Sequence, residues 1–209
     1  SLLFAYRFVI VSVTLTANAT FSDSLNNSAI LLPVSVAELT NHSLLKCDFN
    51  SGYVSSFKSR YISKKLSAAK REELYDEIME KAVAAAVGMA SPARIDEINI
   101  LQATYEAMRE AISKLAVEPG ILLNDAVTIP EMIIPQVPII KGDAKSVSIA
   151  AASILAKVTR DRLMVEYDKV MPEYGFAGHK GYGSKEHIEA IKKYGPTPIH
   201  RKTFIKKFI

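Results

Sequence analysis

The sequence predicts an α/β fold, a sheet flanked by helices with a helical segment at the C-terminal end. Three observations carry this. Short apolar runs fit for buried strands alternate with segments of helical period. Serine, proline and glycine stand where those helices should start and stop. No internal repeat or low-complexity tract interrupts the alternation, and 209 residues with 49% hydrophobic content suffice for one buried core.

Residues 8–17, FVIVSVTLTA, are β-branched and partly alternating, which predicts a buried strand. Arg7 before this run and Ala17-Asn18-Ala19 after it imitate a secretory signal. The run is too short and too interrupted by Ser and Thr to span a bilayer. Residues 20–60 show no sustained period and read as loops and short strands. Ser67 then caps a helix with Leu74 and Ile78 on one face. VAAAVGMAS, residues 83–91, is apolar enough for a strand buried on both faces. Ser91-Pro92 supplies an N-cap and a first-turn proline, and the helix beyond places Ile95, Ile98, Tyr105, Met108 and Ile112 on an inner stripe. Pro119-Gly120 ends it, and ILLNDAV, residues 121–127, predicts a strand with Asp125 near its end.

After a proline-punctuated connection comes KGDAKSVSIAAASILAKVTRDR, residues 141–162. Val147, Ala150, Ala151, Ile154, Leu155 and Val158 recur at helical spacing, and three consecutive alanines let this helix lie close to a sheet. It should run to about Val170, stopped by Pro172. YGFAGHKGYGS, residues 174–184, reads as a loop, KEHIEAIKKYG as a helix ending at Gly195, and the tail is basic.

The net charge of +4 and pI near 9.0 allow a polyanionic partner without demanding one. The lone Cys47 excludes an internal disulfide framework and fits a reducing compartment, so a cytoplasmic protein is expected. Charge is unevenly spread: residues 1–60 hold only 4 Lys+Arg and 3 Asp+Glu. This break divides an atypical segment, 1–60, from the remainder, 61–209.

Two acids, Asp125 and Asp143, stand eighteen positions apart in places that favour burial. A desolvated carboxylate costs several kcal/mol unless paired or metal-bound. Carboxylate oxygens select Mg²⁺ or Mn²⁺ over zinc. The alternative is a strand-end turn for Asp125 and a helix-dipole partner for Asp143; spacing alone leaves both open. Ser63-Lys64-Lys65 precedes a helix start, where backbone N–H groups and ammoniums can hold a phosphate. His179-Lys180-Gly181-Tyr182-Gly183 joins a cation and a ring to flanking glycines, a pattern suited to close backbone approach and stacking on nucleic acid. Each patch taken singly also reads as a solvated loop. The tail cations Arg201, Lys202, Lys206 and Lys207 read as solvated. The histidines lack metal-ligand spacing, and no serine or cysteine has a recognisable catalytic partner.

Residues 62 to about 204 closely resemble the ribonuclease HII family, through SKKLSAAKREELYDEI, ASPARIDEINILQAT, the strand around Asp125, KGDAKSVSIAAASILAKVTRDRLM, YGFAGHKGYGSKEH and KKYGPTPIHRKTF. The resemblance implies a ribonuclease H-like fold. It implies two-metal cleavage, with Mn²⁺ or Mg²⁺, of the RNA strand in RNA–DNA hybrids and at ribonucleotides embedded in duplex DNA, leaving 5′-phosphates. It matches Asp125 and Asp143 to the third and fourth acidic ligands, Tyr182 to a tyrosine packing on the junction sugar, and Ser63, Lys64 and Lys65 to phosphate contacts; Lys180, beside Tyr182, is expected at the substrate too. A monomer without membrane attachment, acting in DNA replication and repair, is the expected form.

The family's Asp-Glu-x-Gly-Arg-Gly motif, source of its first two acids, is absent. Val13-Thr14-Leu15-Thr16-Ala17 stands roughly where it belongs, and Ile62 replaces the Asp before Ser-Lys-Lys. The first sixty residues therefore read as diverged or frame-shifted, and the expected catalysis is impaired. The alternative is a non-catalytic binder of hybrids and duplexes.

Overall fold

The computed structural model describes residues 7–9 and 66–209. The expectations placed on other positions lie outside the described residues, among them the strand beyond Val9 and the Ser63, Lys64 and Lys65 patch. The described elements are β1 (Arg7–Val9), α1 (Ala68–Lys81), β2 (Gly88–Ala90), α2 (Pro92–Ser113), β3 (Leu122–Asp125) and β4 (Gln136–Ile139). There follow α3 (Gly142–Lys145), α4 (Val147–Val170), a 3-10 turn (Pro172–Tyr174), α5 (Phe176–His179), α6 (Lys185–Tyr194) and α7 (Lys202–Ile205). β1 pairs antiparallel with β2, Arg7 opposite Ala90, and β3 pairs parallel with β4, Asp125 opposite Ile139. This mixture of strand pairs among helices is the predicted α/β class.

The caps fall where the sequence places them. Ser67 Oγ accepts from the Lys70 N–H at 3.2 Å, and Ser91 Oγ from the Arg94 N–H at 3.1 Å, with Pro92 in the first turn. Leu74 and Ile78 of α1 pack against Ala150, Ala151, Ile154, Leu155 and Val158 of α4, so the alanine face serves a helix–helix contact. Each fully buried aliphatic side chain there contributes roughly 1.5–3 kcal/mol.

Several elements differ from expectation, each for a local reason. The 83–91 strand shrinks to three residues with an alternating burial pattern, Met89 pointing outward. Gly88 presses on α2 so closely that a Cβ would lie 1.9 Å from the Ala107 carbonyl oxygen. α2 is kinked at Asn99 (φ 70°, ψ 166°), whose Oδ1 accepts from the Leu101 and Gln102 N–H groups and restarts the helix. The kink shifts the buried stripe: Ile95, Met108 and Ile112 are buried as predicted, joined by Ala103, Ala107 and Ala111, while Ile98 and Tyr105 are only half-buried.

β4 arises within the proline-rich connection. Pro138, which cannot donate to the ladder, conceals it from sequence reading. Gln136 fixes it, accepting from the Ile129 N–H at 2.7 Å and Asn124 Nδ2 at 3.0 Å while donating to the Ile129 carbonyl at 2.8 Å. The helix expected from Asp143 onward is two pieces, because Ser146 is extended (φ −123°, ψ 127°) and caps α4 afresh, its Oγ accepting from the Ile149 N–H at 3.4 Å.

The expected 174–184 loop takes in the last residue of the 3-10 turn and all of α5, and with α4, α6 and the tail it builds an apolar cluster of Met164, Tyr174, Phe176, Ile191, Ile199 and Ile205. The tail is not simply solvated. Arg201 is buried with its guanidinium 4.0 Å from the centre of the Phe204 ring, and Asp96 of α2 accepts from the Lys202 N–H at 2.6 Å and the Thr203 N–H at 3.2 Å.

Candidate functional site

Asp125 is the last residue of β3, and the next, Ala126, turns with φ 58°. The chain returns through β4 to Lys141, left-handed at φ 58°, and there the Gly142 N–H donates to Asp125 Oδ1 at 2.7 Å. Asp143 follows directly in the first turn of α3. The eighteen-residue separation is thus closed by one strand crossing, which brings the backbone beside Asp143 against Asp125 at the carboxyl end of the parallel pair. Space at 142 is tight: a Cβ would lie 2.5 Å from Ile149 Cδ1 and 3.3 Å from Asp125 Cα. Asp125 is exposed and Asp143 half-buried.

The second half of the site lies along α4. Tyr182 is 42% exposed, open enough for its ring to be touched by a ligand. Behind it stand two cations that sequence reading missed: Lys157 Nζ is 5.3 Å and the Arg160 guanidinium 5.1 Å from the ring centre. Arg160 is buried and its Nη2 donates to the Lys180 carbonyl at 2.6 Å, tying the loop to α4. Burial pushes the Arg160 pKa down, opposed by Tyr182 and Asp161. Lys157 reaches Asp161 at 2.6 Å. The signal available was the i, i+3 spacing of Lys157 and Arg160, which puts both on one helix face.

Lys180 itself is turned inward. Its backbone is left-handed (φ 49°), its Nζ donates to the Ala177 carbonyl, and it is half-buried. It also lines a cleft of about 240 Å³ between α1 and α4, with Arg71, Glu72, Asp161 and Arg162 among its walls. Arg162 is committed to Glu72 at 2.5 Å, so the cleft's charges are largely paired.

Among solved structures, the chain is similar to ribonuclease H2 from Pyrococcus horikoshii OT3, with TM-score 0.59 and 26% identity, covering 74% of this chain and 83% of that one. It is equally similar to the ribonuclease HII solved in a complex with PCNA from Archaeoglobus fulgidus (TM-score 0.59, 25% identity, 75% and 82% covered). The fold is therefore of the ribonuclease H-like α/β class. The family model for ribonuclease HII matches residues 61–207, and the chain belongs to that family. Ribonuclease HII of Lachnoclostridium phytofermentans is 74% identical over 144 residues, 69% of this chain and 57% of that protein. That of Clostridioides difficile is 61% identical over 147 residues, 70% and 58%. The chain thus spans under two thirds of the length of these curated relatives.

The donor set bears on a metal. Asp125 and Asp143 offer carboxylate oxygens, the hard donors that suit Mg²⁺ or Mn²⁺. Among the described residues no group of three or more His, Cys, Asp or Glu side chains is arranged to hold an ion. The pair fits such an ion in kind, but as a partial ligand set.

Proposed function

We propose that residues 61–209 form the nucleic-acid-reading part of a ribonuclease HII, which acts on the RNA strand of RNA–DNA hybrids and on ribonucleotides embedded in duplex DNA. The observation that carries this reading is Tyr182, exposed to solvent while Lys157 and Arg160 stand within 5.3 Å of its ring centre. It offers a stacking surface beside positive charge, the two elements that recognition of a sugar–phosphate junction requires. Asp125 and Asp143 would hold a divalent ion, with the Gly142 N–H orienting Asp125. When bound, such ions lower the pKa of water and stabilise the leaving oxygen, and the products would carry 5′-phosphates. Ser63, Lys64 and Lys65 would grip a phosphate ahead of α1.

The proposal extends to the chain as written. Without the Asp-Glu-x-Gly-Arg-Gly motif, the sequence keeps two of the family's four metal acids, and residues 1–60 are a diverged or frame-shifted segment. Two carboxylates leave too little negative charge to hold two divalent ions close together. Incubation with a duplex containing one ribonucleotide should therefore give near-background cleavage even in millimolar Mn²⁺, while binding survives EDTA and weakens with salt through counterion release. Robust cutting that vanishes in Asp125→Asn overturns the impairment. Salt-insensitive binding, or none, overturns the reading as a nucleic-acid binder. Resequencing the locus tests the frame-shift: an unbroken reading frame with these codons rejects it.

A further inference from the structure

The binding role proposed for Tyr182 leaves unexplained what holds its backbone. Arg160 fixes Lys180 from the side of α4, but the carbonyl of Tyr182 faces the C-terminal cluster. There it accepts a hydrogen bond from His187 Nδ1 at 2.9 Å. A carbonyl can only accept, so His187 carries its proton on Nδ1 and its Nε2 must accept in turn. His200 Nε2 lies 3.3 Å from that Nε2. The other nitrogen of His200 receives the Thr197 N–H at 3.0 Å, so His200 carries its proton on Nε2 and donates to His187. The three contacts define one direction, from Thr197 through His200 and His187 to the Tyr182 carbonyl. Both rings are completely or almost completely buried, at 0% and 2% exposure.

We infer that His187 and His200 are positioning residues, which aim the Tyr182 ring at its nucleic-acid ligand by pinning the Tyr182 carbonyl to α6 and the tail. Three features support a role beyond filling the core. The relay ends on the backbone of the one exposed aromatic in this loop. The His187 N–H also donates to Ser184 Oγ at 3.2 Å, two residues after Tyr182, so the turn from Tyr182 to Ser184 is tied twice to α6. His179 closes the other side: its Nδ1 accepts from the Gly181 N–H at 3.1 Å and its ring stacks on His187 at 4.3 Å. Gly181 is left-handed at φ 73° and would move freely without these ties. A loop so held presents its ring without an ordering cost on binding.

This inference rests on the proposed role of Tyr182, and the test separates the two. The full chain is titrated with a duplex containing one ribonucleotide and with all-DNA duplex, at one salt concentration and pH 7.5. Tyr182→Ala should weaken junction binding by about tenfold or more, and His187→Leu should do nearly the same. His187→Asn, whose amide can still donate to the carbonyl, should stay within about threefold of the parent. The double variant Tyr182→Ala with His187→Leu should be no weaker than Tyr182→Ala alone, since residues acting through one another are not additive.

If Tyr182→Ala binds like the parent, the function of Tyr182 is wrong. If Tyr182→Ala weakens binding while folded His187→Leu does not, or if the two losses add, the positioning role is wrong. Should His187→Leu fail to fold, ¹⁵N NMR of the parent decides. The inference requires the Nδ1–H tautomer at His187 and the Nε2–H tautomer at His200, and the opposite assignment at His187 overturns it.

Discussion

The acid pair and the tyrosine loop lie along one helix but are built differently. Asp125 and Asp143 sit at the end of a two-stranded parallel pair, joined by one hydrogen bond from Gly142 and one left-handed turn at Lys141. The Tyr182 turn is held from three directions, by Arg160, by His187 and by His179. Behind it lies an aromatic cluster in which the Tyr174 and Phe176 rings stack at 5.2 Å. Within the described residues the loop is therefore a finished device, while the acids make a partial one. The substrate-reading and metal-holding roles proposed for them therefore rest on separate parts of the chain.

The largest test of this contrast is Phe176→Ala. Phe176 is wholly buried between Tyr174, His179 and His187, and truncating it should cost about 3–5 kcal/mol in urea unfolding. Asp125→Asn should change stability by less than about 0.5 kcal/mol, since the replaced group is exposed and its amide oxygen can still accept from Gly142. Comparable losses from the two variants would break the comparison.

Acid should expose the same asymmetry. Burial pushes both histidines below the ordinary 6.5, to about 4, and for His200 the neighbouring His187 adds to the shift. Between those limits the unfolded chain binds more protons than the folded one, so stability is complete above pH 6.5 and lost as pH falls toward 4. Thermal melts across this window should show a falling midpoint, and His187→Asn should flatten the slope. A slope unchanged by that variant would detach the acid response from His187.

Much of this was legible in the sequence because local chemistry fixes it. Ser67 and Ser91 cap their helices, Pro172 and Gly195 end theirs, and Leu74, Ile78, Ile154 and Leu155 are core because their spacing allows nothing else. Asp125 and Asp143 could be singled out but not brought together, since the backbone beside Asp143 reaches Asp125 only through β4, which Pro138 hides. The histidines, without metal-ligand spacing, carry no motif that the sequence displays. Their partners are a carbonyl at residue 182 and each other, pairings set by how α6 folds back rather than by any motif. Tyr174, the other tyrosine of the 174–184 stretch, is buried with its hydroxyl donating to the Gly195 carbonyl at 2.8 Å and cannot serve as a control for Tyr182. The exposed Tyr194 is the sound control.

At the acid end, Gly142→Ala sharpens the comparison at moderate cost. The added methyl meets the tip of Ile149 at 2.5 Å, which can rotate away, but also Asp125 Cα at 3.3 Å, which cannot. Overpacking of this kind should destabilise by about 1–2 kcal/mol. It should lower divalent-ion affinity, measured by calorimetry, more than it lowers binding of the junction duplex. Equal losses in both would mean that the two halves of the site act as one.

The smallest expected effect is the most discriminating, because it touches Tyr182 without touching its backbone. Lys157 is the outer of the two cations behind the ring, with Nζ 5.3 Å from the ring centre and 2.6 Å from Asp161. Lys157→Met keeps most of the aliphatic stem that packs on α4 and removes only the charge. A cation–π contact at a partly exposed site is worth about 0.5–1 kcal/mol, so junction binding should weaken roughly two- to fivefold. The loss should shrink to nothing in a Tyr182→Ala background, where there is no ring to support. If Lys157 instead contacts phosphate directly, the loss will persist without the ring, will be as large on all-DNA duplex, and will lower the salt slope by about one. The same titrations in the two backgrounds therefore tell whether α4 supports the reader from behind or touches the ligand itself.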